Sequence, residues 1–103
     1  MSKVVLTQPA EYDLIGIEDY IGDTLYNPDA AIKIIDGIIE TAEKLALFPR
    51  EHQIVSDFLL AELGFRMTQF DNYNIFYIYN ELTDMVHIIR ILYNRADWQN
   101  ILK

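Results

Sequence analysis

The stretch from Asn72 to Trp98 constrains the fold of this chain more than any other. It holds two apolar runs with a period of two, joined by the polar segment Glu81 to Asp84. In the first run Tyr73, Ile75, Tyr77 and Tyr79 alternate with Asn74, Phe76, Ile78 and Asn80. In the second, Met85, His87, Ile89, Ile91 and Tyr93 alternate with Val86, Ile88, Arg90 and Leu92. Successive side chains of a strand point to opposite faces, so this pattern predicts a β-hairpin. Both faces of both strands are largely apolar, which requires central strands covered on two sides. The hairpin ends with Arg90 and Arg95 bracketing Tyr93, a small cationic and aromatic cluster at one edge of a sheet.

Upstream of the hairpin the period changes. Val4, Val5 and Leu6 form a short strand before Gln8-Pro9. Pro9 suits the first turn of a helix, where a missing N–H costs little, with Thr7 or Gln8 as the cap. Ala10, Leu14, Ile17, Ile21 and Leu25 recur at helical spacing, and Glu11, Asp13, Glu18, Asp19 and Asp23 fall mainly off that stripe. Asn27-Pro28-Asp29 stops this helix and caps the next, which should run from about Pro28 to Leu47 before Phe48-Pro49 ends it. So short a link implies an antiparallel helical hairpin. Arg50 to Glu62 reads as a loop. From Leu63 the period is two again, with Leu63, Phe65 and Met67 on one face and Gly64, Arg66 and Thr68 on the other. Ala96 to Leu102 reads as a short helix whose Trp98, Ile101 and Leu102 pack back. The expected architecture is therefore a single α+β domain over residues 1–103. An N-terminal strand and a helical hairpin pack on a mainly antiparallel sheet of about four strands, with a short C-terminal helix.

Composition narrows the function. Cysteine is absent, which excludes a disulfide scaffold, a thiolate nucleophile and a Cys-ligated metal, and fits a reducing cytosol. Neither a secretory signal nor an apolar run of membrane-spanning length is evident, so a cytoplasmic chain without a membrane partner is expected. Sixteen acids face eight bases, and no Lys lies between Lys44 and Lys103. Any contact with nucleic acid must come from a local patch working against a repulsive whole, which argues against bulk RNA or DNA binding.

The residues left for chemistry are few. Arg66 reads either as a groove cation or as an exposed strand Arg paired with an acid. Arg90 shares a face with Ile88 and Leu92, so it needs an ionic partner or the mouth of a groove. Arg95 lies beyond the strand. Tyr93 can be a proton donor, a stacking platform or a core aromatic. His87 fits a satisfied sheet histidine and His52 a solvated loop residue. The two histidines lack metal-ligand spacing, and no Gly-rich phosphate loop or nucleophile elbow is present, so neither metal nor cofactor is expected.

The order of elements and several motifs resemble the RelE/ParE superfamily of toxins from type II toxin–antitoxin pairs. The resemblance rests on Ala10, Asp13, Leu14 and Ile17, on Pro28-x-Ala-Ala, on Leu45-x-x-Phe-Pro, on Gly64-x-Arg66, on the Tyr-rich strand from Tyr73, and on the close from Ile88 to Trp98. It implies a toxin neutralised by a cognate antitoxin that wraps an extended segment around it, with operator DNA bound only through the antitoxin. One branch of the superfamily cuts mRNA in the ribosome. The other shares the fold, poisons DNA gyrase and has no ribonuclease chemistry. Ribonuclease members carry an Arg directly after the Tyr that opens the middle hairpin strand, and here that position is Asn74. The Lys-rich loop and strand of that branch are missing too.

The ParE-like side is therefore the expectation, with Arg66, Arg90, Tyr93 and Arg95 binding target or antitoxin. Two alternatives stand beside it. One is a ribosome-dependent mRNA endonuclease using Arg66, Arg90 and Tyr93. The other is an attenuated module that binds antitoxin and regulates its operon without toxicity. The acidic balance adds a further expectation: an antitoxin tail held mainly by apolar contacts, with Lys or Arg against the acidic helices.

Overall fold

A computed structural model describes residues 1–52 and 54–103. The elements follow in the order β1 (Lys3–Leu6), α1 (Gln8–Asp19) with a π-helical turn (Tyr20–Thr24), α2 (Pro28–Lys44), α3 (Phe58–Glu62), β2 (Arg66–Phe70), β3 (Tyr73–Asn80), β4 (Met85–Tyr93) and α4 (Trp98–Leu102). The four strands form one sheet in the order β1-β4-β3-β2. β1 runs parallel to β4, while β4, β3 and β2 pair antiparallel. A parallel neighbour cannot be reached by a tight turn, and here α1, α2, β2 and β3 all intervene between β1 and β4.

Local chemistry starts and stops the helices as the residues dictate. The Thr7 side chain accepts a hydrogen bond from the Ala10 N–H (3.3 Å), and Asn27 does the same for Ala30 (3.2 Å). Each cap is followed by a proline in the first turn. α2 ends at Lys44 rather than Leu47, where the chain turns before Pro49. The expected loop from Arg50 to Glu62 contains the short helix α3, capped by Asp57 accepting from the Leu60 N–H at 3.2 Å. Five residues carry too little periodicity to be read from sequence. The strand expected from Leu63 begins only at Arg66, because Gly64 sits at φ 84° and Leu63 is left exposed.

Two apolar layers sandwich the sheet. On one side Tyr73, Ile75, Tyr77, Val86, Ile88 and Ile91 pack under Ala10, Leu14, Ile38, Ala42 and Leu45 of the helical hairpin. On the other, Phe76 and Leu92 meet Val55, Leu60 and Phe65, with Met67, Ile78, Ile89, Trp98 and Leu102 packed around them. The chain thus covers much of its second face itself. Trp98 lies over Phe76 with ring centroids 5.3 Å apart, and Lys103 pairs with Asp57 at 2.9 Å, tying α4 to α3. Ile101, expected in this layer, stays 42% exposed.

Strict alternation along β4 does not hold. Phe76 pairs with Arg90 but Tyr77 pairs with Ile88, so Ile89 is an extra residue in a β-bulge. The bulge switches the parity of everything beyond it. Ile88 and Ile91 face the helical hairpin together, while Ile89 and Leu92 share the second face. The expectation that Arg90 shares a face with both Ile88 and Leu92 is corrected accordingly. Among the described residues, no helix is long and apolar enough to cross a membrane.

Two helical glycines have opposite surroundings, and they give a paired test of packing. A Cβ on Gly37 would stand 2.0 Å from the Phe70 ring, whereas one on Gly16 would meet nothing within 4 Å. Gly16→Ala should raise stability by about 0.5–1 kcal/mol through helix propensity alone. In Gly37→Ala the same gain is outweighed by overpacking of about 1–3 kcal/mol, so the net change is destabilising. Urea denaturation of the two variants should therefore move the midpoint in opposite directions.

Candidate functional site

Where β1 ends, β4 goes on, and its outer edge loses a strand partner after Ile88. Two side chains take over that edge. The Thr7 hydroxyl shares its proton between the carbonyls of Ile88 (2.8 Å) and Ile89 (3.0 Å), serving the bulge. One turn into α1, Asp13 reaches the next segment. Its Oδ2 accepts from the Ile91 backbone N–H (2.9 Å) and from Arg90 Nε (2.7 Å), and its Oδ1 accepts from an Arg90 Nη at 2.9 Å. This bidentate pair holds Asp13 at 13% exposure and Arg90 at 29%. The Asp13 carboxylate raises the Arg90 pKa further above its ordinary value. Arg90 therefore has the ionic partner that its place on the strand calls for, with Nε and one Nη engaged by Asp13.

Arg66 is turned the other way. It lies on β2, two strands from β4, opposite Tyr77 on β3. One of its Nη atoms donates to the carbonyl of His52 at 2.6 Å and to that of Arg50 at 3.5 Å. His52, expected to be a solvated loop residue, is instead half-buried with its ring edge-on to Tyr77 at 6.4 Å. Together with Ile54, Val55, Ser56, Met67 and Trp98 it lines an open depression of about 430 Å³ on the second sheet face. Arg66 and Arg90 thus hold opposite margins of the sheet and do not converge. Asn74, at the position that carries Arg in ribonucleases, is 6% exposed and pairs with Gln69 and Leu92. His87 is half-buried in mid-strand opposite Ile78 and Val5, and Arg95 lies exposed in the turn after β4.

Tyr93 does meet other functional groups. It stacks edge-on against its strand partner Tyr73, with centroids 5.6 Å apart. These two residues line an open groove of about 520 Å³ with Tyr12, Gly16 and Ile17 of α1 and Tyr20 of the π-turn. Burial, then the nearby Tyr93, Asp71 and Tyr20, pushes the Tyr73 pKa above the ordinary phenol value. The π-helical turn starts at Tyr20, where the Leu25 N–H donates to the Tyr20 carbonyl at 3.0 Å. Such turns are frequent at functional sites. Sequence reasoning found Tyr93 but passed over Tyr12 and Tyr20. They sat on the outer side of an amphipathic stripe, and nothing in that pattern announces a π-turn.

Tyr77 carries a different signature. Its side chain is fully buried, and its hydroxyl has no hydrogen-bond partner among the described residues. Burial pushes its pKa up to about 12, against the opposing influence of Arg66 and the His52 backbone. The unfolded chain loses the phenol proton near the ordinary pKa of about 10, while the folded chain keeps it. Stability from this group is therefore intact below pH 10 and is lost as pH rises from there through about 12. Tyr77→Phe should remove that alkaline loss without destabilising the protein at pH 7, as measured by urea midpoints at pH 7 and in the alkaline window.

The Asp13 clamp generates a second expectation. Asp13→Ala strips the partner from a half-buried guanidinium and from the Ile91 N–H, which should cost on the order of 3 kcal/mol. In a double-mutant cycle with Arg90→Met the second change should cost far less than the first, since the stranded cation is gone. Additive losses in thermal denaturation would show that the two side chains are not energetically coupled.

Comparison with known proteins supplies the context. The family model described as ParE toxin of type II toxin-antitoxin system, parDE, matches residues 4–98. Among solved structures, a chain of the chromosomal ParDE TA system from P. aeruginosa superposes with a TM-score of 0.74 at 20% identity. That match covers 90% of this chain and 96% of the other. A chain of the toxin–antitoxin complex RelBE2 from Mycobacterium tuberculosis gives a TM-score of 0.67 at 20% identity, covering 89% and 96%. At such identity these two likenesses speak for the fold. A search of curated proteins finds no match.

Proposed function

Because the chain belongs to the ParE toxin family of type II toxin–antitoxin systems, we propose that it arrests growth by binding an essential target, DNA gyrase, rather than by cutting RNA, and that a cognate antitoxin neutralises it. The observation that carries this reading is the disposition of the cations. Cleaving RNA through its own 2′-hydroxyl needs a base at that hydroxyl, cations at the pentavalent phosphate and an acid at the leaving oxygen, all within reach of one another. Here the ribonuclease position is a buried Asn74, Arg90 is filled by Asp13, and Arg66 is spent on the His52 carbonyl across the sheet. Loss of one preorganised charge-stabilising donor costs about 2.7–4 kcal/mol of barrier in a catalytic site. An arrangement so short of free cations supports recognition of a protein surface better than phosphoryl chemistry.

On this reading Tyr93 and its tyrosine neighbours, together with the exposed Arg95, form the contact surface. Arg90 and Arg66 shape it by fixing the β4 edge and the loop around His52.

The test is inducible expression of the chain without its partner, scoring growth while mRNA 5′ ends are mapped, followed by a gyrase supercoiling assay with purified protein. The expected outcome is arrest without new ends inside translated codons, and inhibition of supercoiling. New codon-internal ends would make the protein a ribosome-dependent nuclease despite Asn74. Unimpeded growth with soluble protein would make it a non-toxic antitoxin-binding module.

A further inference from the structure

Charge is distributed unevenly over this molecule. Residues 8–44, which span both long helices, hold nine acids against two lysines, a formal −7 of the total −8. α1 and its π-turn carry no Lys or Arg at all. The one carboxylate of this set that lines the tyrosine groove, Asp13, is already neutralised by Arg90.

Beside this acidic surface lies the groove. Tyr12 and Tyr20 are 62% and 54% exposed, and Tyr93 45%. The space continues past Tyr20, Tyr73 and Tyr93 into an adjoining depression of about 380 Å³, bounded by Leu25 and by Asp71 at the β2–β3 turn. Three exposed tyrosines from α1, the π-turn and β4, with the buried Tyr73 of β3 beside them, therefore line one opening, with a carboxylate at its far end. Aromatic faces attract cations through the ring quadrupole, and guanidinium stacks on them most readily because it is planar and weakly hydrated. The groove is open to solvent, as a site that receives a side chain from another molecule must be, and a helix whose only charges are negative forms one wall.

We propose that this tyrosine groove receives an arginine or lysine side chain projected by a partner polypeptide lying along the acidic helical hairpin, so that the antitoxin segment bound there is cationic. The identity of the partner as the antitoxin rests on the toxin–antitoxin reading; the chemistry of the groove does not. The bulk charge of the hairpin brings a basic segment to this face, and the rings supply a place for one cation that also offers its aliphatic stem to Ile17 and Leu92. A segment rich in acids would be repelled by the same wall.

The groove is tested on the full-length protein with Nα-acetyl-arginine amide as the probe and the neutral citrulline amide as its isostere, following tyrosine ring resonances by NMR. The arginine probe should produce saturable shifts at Tyr12, Tyr20, Tyr73 and Tyr93 with an apparent Kd on the order of 10 mM, and the citrulline probe should bind roughly tenfold more weakly or not at all. Gly16→Trp adds a bulky group to the α1 wall of the groove, where a Cβ meets nothing within 4 Å, so it should abolish the shifts while leaving the rest of the spectrum folded. Tyr20→Phe keeps a ring face and should retain binding, whereas Tyr20→Leu should lose it. Equal shifts with citrulline, or no saturable shift at these rings, would overturn the proposal. Because the probe is not an antitoxin, arginine binding in a chain that fails to arrest growth would retain the groove and remove only the growth-arrest reading.

Discussion

The sheet depends on how one exposed strand edge is finished. β1 is only four residues long, yet its neighbour β4 has nine, so beyond Ile88 the edge of β4 that faces away from β3 has no strand beside it. Backbone donors left in that position, half-buried under a helix, are costly. The chain answers by turning from β1 straight into α1, so that Thr7 caps the helix and serves the bulge at Ile88 and Ile89, and Asp13 meets the Ile91 N–H. Arg90 then serves a carboxylate that is committed to the backbone. The helical hairpin sits on the sheet at the angle these contacts allow, and the core residues Leu14, Ile38 and Ile91 close beneath it.

That arrangement also changes the meaning of the arginines. Viewed as types in a list, Arg66 and Arg90 are two cations on neighbouring segments of a toxin fold. Viewed in place, one is held by a helix at the β4 margin and the other by a loop at the β2 margin. The exposed aromatic surface lies elsewhere, drawn from Tyr12, Tyr20 and Tyr93, with Tyr73 buried beside them.

Much of this was legible in the residues because it follows from period and caps. The Tyr73–Tyr79 alternation marked β3 as a strand covered on both faces, and Thr7, Pro9, Asn27 and Pro28 marked both helix starts. The parallel pairing of β1 could not be read, since four apolar residues do not specify their neighbour. The bulge was hidden because Ile88, Ile89 and Ile91 are equally apolar, so a one-residue slip leaves no mark on the pattern. The choice between a free and a paired Arg90 was likewise closed to sequence, because Asp13 lies 77 positions away. The tyrosine groove is a tertiary object, assembled from three elements after a π-turn that has no one-dimensional signature.

The separation of charge has a kinetic side as well. With −7 on the helical hairpin and −1 on everything else, most of the net charge sits on the helical layer. In a field of several kT near a charged partner, such a body rotates before it touches. Encounter with a basic surface would thus begin at the helices, with the bias fading as salt shortens the Debye length to about 8 Å at physiological ionic strength. A basic partner would then meet this small protein on an orientation selected in advance of contact.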